Sequence, residues 1–329
     1  FSASTIDGTL TATTGHVSGI TDSGNLVVNG DVILTTDANN GVINLGTLQQ
    51  STGDLLLTTN GTGNAAVVNN VGIDFGASNV GGNLAVTTTT GNITQNGGAL
   101  IVAGTSVFTT AADGSNIILD HASNAFTGQV SLKADTGGSE NFGNITFVDD
   151  SAVKLDANAD AAGDLFIDAA TDGAVGGNLV VTATTGNITQ GVALAVTGTS
   201  TLTTAAADAV ITLGSTNALG GNVILSTAGT AGHVTIDNGT TALGVEGTVN
   251  GNLALTSGEA ITDSGTLTVT GTTTVTTDVN DKVINLGTLA STGNVILSTM
   301  GTAGHATIDN TTTALGVEGT VNGNLALTS

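Results

Sequence analysis

The chain of 329 residues has no cysteine, proline, tryptophan, tyrosine or arginine. The lack of cysteine excludes a disulfide-stapled secreted domain. It suits a chain exported unfolded, with no thiols to mispair, and suits a cytosolic chain equally well. The lack of proline leaves every backbone N–H available to a β-ladder, as strands paired on both sides require. Charged residues make up 9%, against about a quarter in an ordinary domain. Cations are scarcest: Lys133, Lys154 and Lys282 stand against 26 acidic residues, for a net charge of −23. A nucleic-acid partner needs a basic footprint, and none can be assembled here. An anionic membrane is a poor partner on the same ground. No run of 18 apolar residues occurs, so neither a transmembrane helix nor membrane insertion is expected. No signal peptide is visible, and the first residue is Phe1.

What is present points to strands. Apolar residues reach 39%, too many for a disordered acidic chain. They are mostly Ala, Val, Leu and Ile, with Thr filling much of the remainder. Val, Ile and Thr are β-branched and fit a pleated, half-buried surface. Strong helix formers other than Ala and Leu are nearly missing, so an all-β chain with essentially no α-helix is expected.

The sequence repeats itself. Gly221–Ser257 and Gly293–Ser329 differ at only three of 37 positions, Ala228/Met300, Val234/Ala306 and Gly239/Thr311, and the second lies 72 positions after the first. The wider pattern is marked by Ile-Thr pairs at Ile20, Ile93, Ile188 and Ile261, and by glycines at Gly53, Gly128, Gly221 and Gly293. Successive glycines of this set stand 75, 93 and 72 positions apart. The copies run roughly over 1–53, 54–128, 129–221, 222–293 and, in part, 294–329, as one continuous array. A solenoid absorbs added length in its wall most easily as a whole coil. The long interval therefore suggests one extra coil of about 20 residues in the third copy, and a coil of about 18–20 residues, four to each 72-residue unit. Because the last copy stops in mid-repeat at Ser329, a segment of a longer array is expected.

Short alternating runs recur about every nine residues, the signature of a β-solenoid. Alternation places Leu253, Leu255, Leu267, Val269, Ile284, Leu286, Val295, Leu297 and Ile308 on an inward face. Thr266, Thr268, Thr270, Asn285 and Thr307 fall outward. Gly-Asn pairs such as Gly82-Asn83, Gly221-Asn222 and Gly251-Asn252 mark the corners. Glycine permits positive φ there, and stacked asparagines can form amide ladders. At the strand spacing of about 4.8 Å, about 17 such coils would form a narrow rod of roughly 80 Å. The phenylalanines, including Phe108, Phe126, Phe147 and Phe166, are expected to fill wider coils.

Two stretches carry a resemblance to a known family. "ITQNGGALIVAGTSVFTTAADGSNIILDHASNAFTGQVSL" from Ile93 and "NLVVTATTGNITQGVALAVTGTSTLTTAAADAVITL" from Asn178 resemble the repeat regions of large bacterial secreted adhesins. These are filamentous-haemagglutinin-like, two-partner-secreted or autotransporter-type proteins. The resemblance covers essentially the whole chain. It implies a right-handed parallel β-helix, outer-membrane export, and adhesion or matrix building. The family's N-terminal secretion domain and C-terminal barrel are missing from this chain.

Parallel β-helices include polysaccharide lyases, which resemble this chain in fold but use a basic residue beside clustered Asp and calcium. The nearest cluster here is Asp149-Asp150 with Lys154, read as a solvated turn. With 22 Asp, accidental carboxylate pairs abound, but near-identical repeats do not make the single irregular cleft that an enzyme needs. His16, His121, His233 and His305 are scattered; His233 and His305 are repeat equivalents, read as solvent-facing strand starts. No Ser lies in a nucleophile motif near a His. The acidic turns "TDANNG" (Thr36–Gly41) and "TDVNDK" (Thr277–Lys282) match neither a calcium β-roll nor an EF-hand loop, leaving loose surface Ca²⁺ binding. Asn92-Ile93-Thr94 matches a glycosylation acceptor but recurs with the repeat, as a corner would. Rows at Thr266, Thr268 and Thr270, and at Thr272, Thr274 and Thr276, resemble the ice-binding arrays of antifreeze solenoids. Thr is also simply the favoured outward strand residue, and the rows alternate with Asn, Ala and Ser.

The expectation is therefore an extracellular, non-enzymatic rod with no catalytic residue, cofactor-binding residue or bound metal. It is read as the stalk of a bacterial surface adhesin whose host or neighbouring-cell ligand is bound elsewhere in the protein. The alternative is a self-associating filament, sheath or biofilm-matrix protein.

Overall fold

The computed structural model describes residues 1–134, 143–156, 164–167, 174–311 and 314–329, with the backbone alone at 156, 164–167 and 174. Over these residues the protein is all-β, without helix, and its parallel strands stack as a β-solenoid of about 13 turns. Two compact units are present, Phe1–Ser151 with Ala157–Gly176, and Ala152–Asp156 with Gly177–Ser329. Each unit has two main sheets of its own, a front and a back.

In the first unit the front sheet stacks Leu10–Thr14, Val32–Asn39 and Asp54–Asn60, then strands broken in two, such as Ile73–Phe75 with Ser78–Val80. The back sheet stacks Ser4–Ile6, Leu26–Val28, Ile43–Gln50, Ala65–Asn69, Leu84–Thr88, Ser106–Thr110 and Val130–Lys133. In the second unit Ser200–Ala207, Val223–Ala228, Leu243–Val249 and Ile261–Val269 run up the front. Val234–Asp237, Leu253–Ser257, Thr273–Asn280 and Val295–Met300 run up the back. Parallel pairing between coils satisfies nearly every strand N–H and C=O, which a narrow body of small residues could not otherwise bury.

The coil is longer and less regular than its repeat spacing suggested. Leu243 pairs with Ile261, an advance of 18 in the numbering, and Val234 with Leu253, an advance of 19. Most steps advance it by 22 or 23, as from Ser4 to Leu26, Ile20 to Ile43 and Thr273 to Val295. The 72-residue unit consequently does not hold four coils. Between Val223 and Val295 the chain visits strands that begin at Val223, Val234, Leu243, Leu253, Ile261, Thr273, Ile284 and Val295, with Leu289–Ser291 continuing the Ile284 strand along the same front strand, Ile261–Val269. These lie alternately on the front and back sheets, which makes seven half-turns, or three and a half coils. Around the third copy the steps lengthen: Ile117 pairs with Ile145, Val130 with Leu165, and Val153 with Ile188. Much of the segment expected to form the extra coil lies outside the described residues, as does the side chain of Phe166.

The inward face follows the alternation. All nine residues expected inside are at most 1% exposed. Of the five expected outside, Thr266, Thr270, Asn285 and Thr307 are exposed and Thr268 is half-buried. Phe75, Phe108, Phe126 and Phe147 do more than widen coils. They form one buried column in the first unit, with ring centroids 6.1, 6.1 and 5.4 Å apart.

The corners work differently from an amide ladder. At Gly-Asn corners such as Gly82-Asn83, Gly177-Asn178 and Gly251-Asn252 the side-chain oxygen accepts a backbone N–H from the next coil, not another amide. Asn83 Oδ1 accepts from Thr105 at 2.9 Å, Asn178 from Thr199 at 2.8 Å and Asn252 from Thr272 at 3.0 Å. This explains the Gly preceding each of those threonines. A Cβ on Gly271 would stand 2.3 Å from Asn252 Oδ1 and 2.7 Å from the backbone of Gly251.

Candidate functional site

The polar side chains that could carry chemistry are, for the most part, engaged in joining one coil to the next. Asp208 and Asp281 sit at equivalent corners in the left-handed region, with φ of 64° and 63°. Asp208 Oδ1 accepts the N–H groups of Thr230 and Ala231 at 2.7 and 2.8 Å. Asp281 Oδ1 accepts those of Thr302 and Ala303 at 2.8 and 2.7 Å. Asn40, with φ of 64°, fills the same place in the first copy, accepting from the Thr62 N–H at 2.8 Å. The two acidic turns considered for calcium thus have a structural use for their corner oxygens. Asp22 and Asp263 act likewise, each accepting the two N–H groups of a Gly-Thr pair one coil on, Gly46-Thr47 and Gly287-Thr288.

These backbone donors hold the Asp208 and Asp281 carboxyls below their ordinary range. A carboxyl whose folded pKa is depressed stabilises the fold above its unfolded pKa. That contribution is lost as pH falls through the folded value. Because Asn40 makes the turn without charge, the double variant Asp208→Asn/Asp281→Asn should melt close to the parent at pH 7. Its loss of stability below about pH 4 should be shallower. Thermal melts from pH 7 to 2 check this; parallel acid curves for parent and variant would contradict it.

Asp149 departs from the solvated turn expected for it. It is 3% exposed. Its carboxylate accepts the Phe126 N–H at 3.0 Å, the Asp150 N–H at 3.0 Å and the Ser151 hydroxyl at 2.7 Å. Burial pushes its pKa up. Lys154 belongs to the other unit. Other coils use an asparagine to receive such an N–H: Asn124 from Leu100 at 2.9 Å and Asn238 from Leu219 at 2.8 Å. With a raised folded pKa, the favourable contribution of Asp149 is present in acid and lost as pH rises through the folded value. Asp149→Asn should therefore raise the melting midpoint at pH 7 and change little near pH 3. A variant less stable than the parent at pH 7 would show that the three donors favour the charge.

All four histidines accept a backbone N–H at Nδ1. His16 and His121 accept from Ser18 and Ser123 within their own turns. His233 and His305 accept from Asn252 and Asn324 one coil on, both at 2.8 Å. His233 and His305 therefore do begin strands, but their rings join coils. They also lie on opposite sheets, leading into Val234–Asp237 at the back and Ala306–Asp309 at the front. Asn92 is a corner, its Oδ1 accepting from Asn116 at 2.9 Å. On the back sheet of the second unit threonine is interrupted in both outward rows, one reading Thr212, Thr235, Ala254, Thr274, Ile296, Glu318 and the other Asp237, Thr256, Thr276, Ser298, Thr320. Among the described residues, no group of three or more His, Cys, Asp or Glu is placed to hold a metal ion.

Sequence reading missed a second set of polar groups, inside the solenoid. Asn69, Asn124, Asn217, Asn238 and Asn310 are at most 2% exposed. Asn238 donates to the carbonyls of Leu219, Thr241 and Ala242 while accepting from the Leu219 N–H. Many buried threonines near strand ends donate to a corner carbonyl a few residues on, as Thr36 to Gly41 and Thr227 to Gly232. The signal was alternation carried one step further: Asn238 follows inward Ile236, and Thr227 follows inward Leu225.

One polar groove interrupts this regularity in the first unit. It encloses about 550 Å³ between Gln50, Asp54, Asp74, Asn92, Thr94 and neighbours. Asp54 and Asp74 are register partners on adjacent coils. Partial burial, then the charges of Asp74 and Asp31, raises the Asp54 pKa.

This geometry defines a β-solenoid repeat protein whose polar side chains mainly stitch its coils together. Within that class, the chain belongs to the family described as Repeats of unknown function (DUF5649), which matches residues 62–133, 142–226 and 231–299. No curated protein and no solved structure matches it. The three matched segments end on the repeat-equivalent strands Val130–Lys133, Val223–Ala228 and Val295–Met300. The family unit is thus the repeat identified above. Among the described residues no helix is long and apolar enough to cross a membrane.

Proposed function

We propose that the chain is the repetitive stalk of a bacterial surface adhesin, an extracellular spacer without catalysis of its own. One observation carries the reading: the carboxylates of Asp22, Asp208, Asp263 and Asp281, the imidazoles of His233 and His305 and buried amides such as Asn238 are engaged in coil-to-coil hydrogen bonds. Such residues are repeated because every coil needs them, not because a site does. The charge of −23 favours a soluble, extended surface that neither nucleic acid nor anionic lipid would hold. The absence of thiols suits export in an unfolded state. The resemblance of the Ile93 and Asn178 stretches to adhesin repeats supports the same role.

Electron microscopy of native cells labelled with antibody to this chain tests the proposal. Discrete rods tethered at the cell surface are expected. Continuous multi-subunit fibres would replace the stalk with a self-assembling filament, and label confined to the cell interior would remove both readings.

A further inference from the structure

We propose that the repeat is a half-turn ratchet: each 72-residue copy gained or lost turns everything beyond it to the opposite face of the solenoid. The inference rests on the register of the second unit and holds whatever the chain binds.

Gly221–Ser257 and Gly293–Ser329 are nearly the same sequence, yet their equivalent strands occupy opposite sheets. Ser226 lies in the front sheet, between Thr203 and Thr248. Its equivalent Ser298 lies in the back sheet, between Thr276 and Thr320. The same exchange occurs between Ile188 at the back and Ile261 at the front. The first unit repeats it independently, with Ile20 at the back and Ile93 at the front, and again with Leu55 at the front and Val130 at the back.

One sequence can serve both faces because both ask the same of it. Each strand needs inward aliphatics at alternate positions, a buried polar residue at its end and a Gly-Asn corner. Val223, Leu225 and Thr227 at the front and Val295, Leu297 and Thr299 at the back are all buried, and Thr227 and Thr299 donate to equivalent carbonyls at 2.8 Å. Nothing in the copy marks it as front or back, so its length alone decides. Three and a half turns advance the axis by about 17 Å and reverse the face. Two copies restore it. A surface element borne by the repeat is therefore shown on both sides of the body. The parity of the copy number sets the side on which any later element stands.

Two experiments on the full chain test this, helped by the absence of native cysteine. In the first, spin labels are placed at cysteines introduced by Thr203→Cys with Ala290→Cys, or by Ser226→Cys with Ser298→Cys. Thr203 and Ala290 share one front column through Ser226, Thr248 and Thr268, four turns apart, so their labels should lie near about 19 Å. Labels at 226 and 298 should lie clearly further apart, beyond about 25 Å, because the body stands between them. Equal distances for the two pairs would overturn the proposal. In the second, cysteines at 203 and 298 are biotinylated, bound to monovalent streptavidin and imaged. Opposite sides are expected in the natural chain, and one side in a chain with residues 222–293 duplicated. Streptavidin on one side in the natural chain, or on opposite sides after duplication, would overturn it. Should the duplicated chain fail to fold, the distances and the images of the natural chain still decide.

Discussion

Asn238→Ala is expected to be among the most destabilising single changes in the second unit. The substitution leaves the N–H and C=O of Leu219 and the carbonyls of Thr241 and Ala242 without their side-chain partner, in a place with no exposure at Asn238 itself. A buried polar group left unpaired costs about 1–3 kcal/mol. Several share one loss here, so about 3–5 kcal/mol is expected for opening these coils. Asn252→Ala is the contrast. Asn252 is exposed and receives only the Thr272 N–H, so about 0.5–1.5 kcal/mol is expected. A repeat array opens locally and not as one two-state body. Hydrogen exchange of the strands Ala218–Leu219 and Val234–Asp237 is therefore the proper measurement. Equal effects of the two substitutions would mean that the buried amide acts as no more than a corner.

Phe108→Ala should have an effect of similar size in the first unit. Phe108 has no exposure and stands edge-on between Phe75 and Phe126. Truncating a buried phenylalanine costs about 3–5 kcal/mol, in which the lost transfer energy is joined by the cavity left behind. Collapse into that cavity is opposed here because the strands on either side are held by their ladders. Two edge-to-face pairs, about 0.5–1.5 kcal/mol each, are lost as well. Phe108→Leu should recover most of this, because repeat-equivalent positions carry Leu34, Leu202 and Val275, all fully buried. Hydrogen exchange of Leu84–Thr88 and Val130–Lys133 should rise for the alanine variant and much less for the leucine variant. If leucine were as damaging as alanine, the ring contacts and not the volume would be holding the column.

Much of the fold is legible in the sequence. Val, Ile, Leu and Thr in alternation around Gly-Asn corners specify strands, and the inward side of each strand, because both depend on a period of two within a few residues. Leu253, Leu267, Ile284 and Val295 are buried for that reason. The candidate polar groups were less well read. His233, Asp208 and Asp281 look like isolated surface residues in one dimension; their partners Asn252, Thr230 and Thr302 lie a whole coil further along the chain. At Asp149, nothing in "FVDDSAV" separates a buried carboxylate from an exposed one. Its partner Phe126 comes from the preceding coil.

By itself, then, the sequence determined a parallel, all-β, repetitive body with an aliphatic interior and an acidic exterior. Composition and local alternation suffice for that. The tertiary structure decided how long each coil is and which face each copy occupies. Coil length is the sum of what every corner absorbs, so the coil from Leu243 to Ile261 is short and the next, from Ile261 to Ile284, is long. A corner's length is settled only when its strand finds its register on the coil below. That accumulated register turns near-identical segments at Gly221 and Gly293 to opposite sides, because one copy completes three turns and a half.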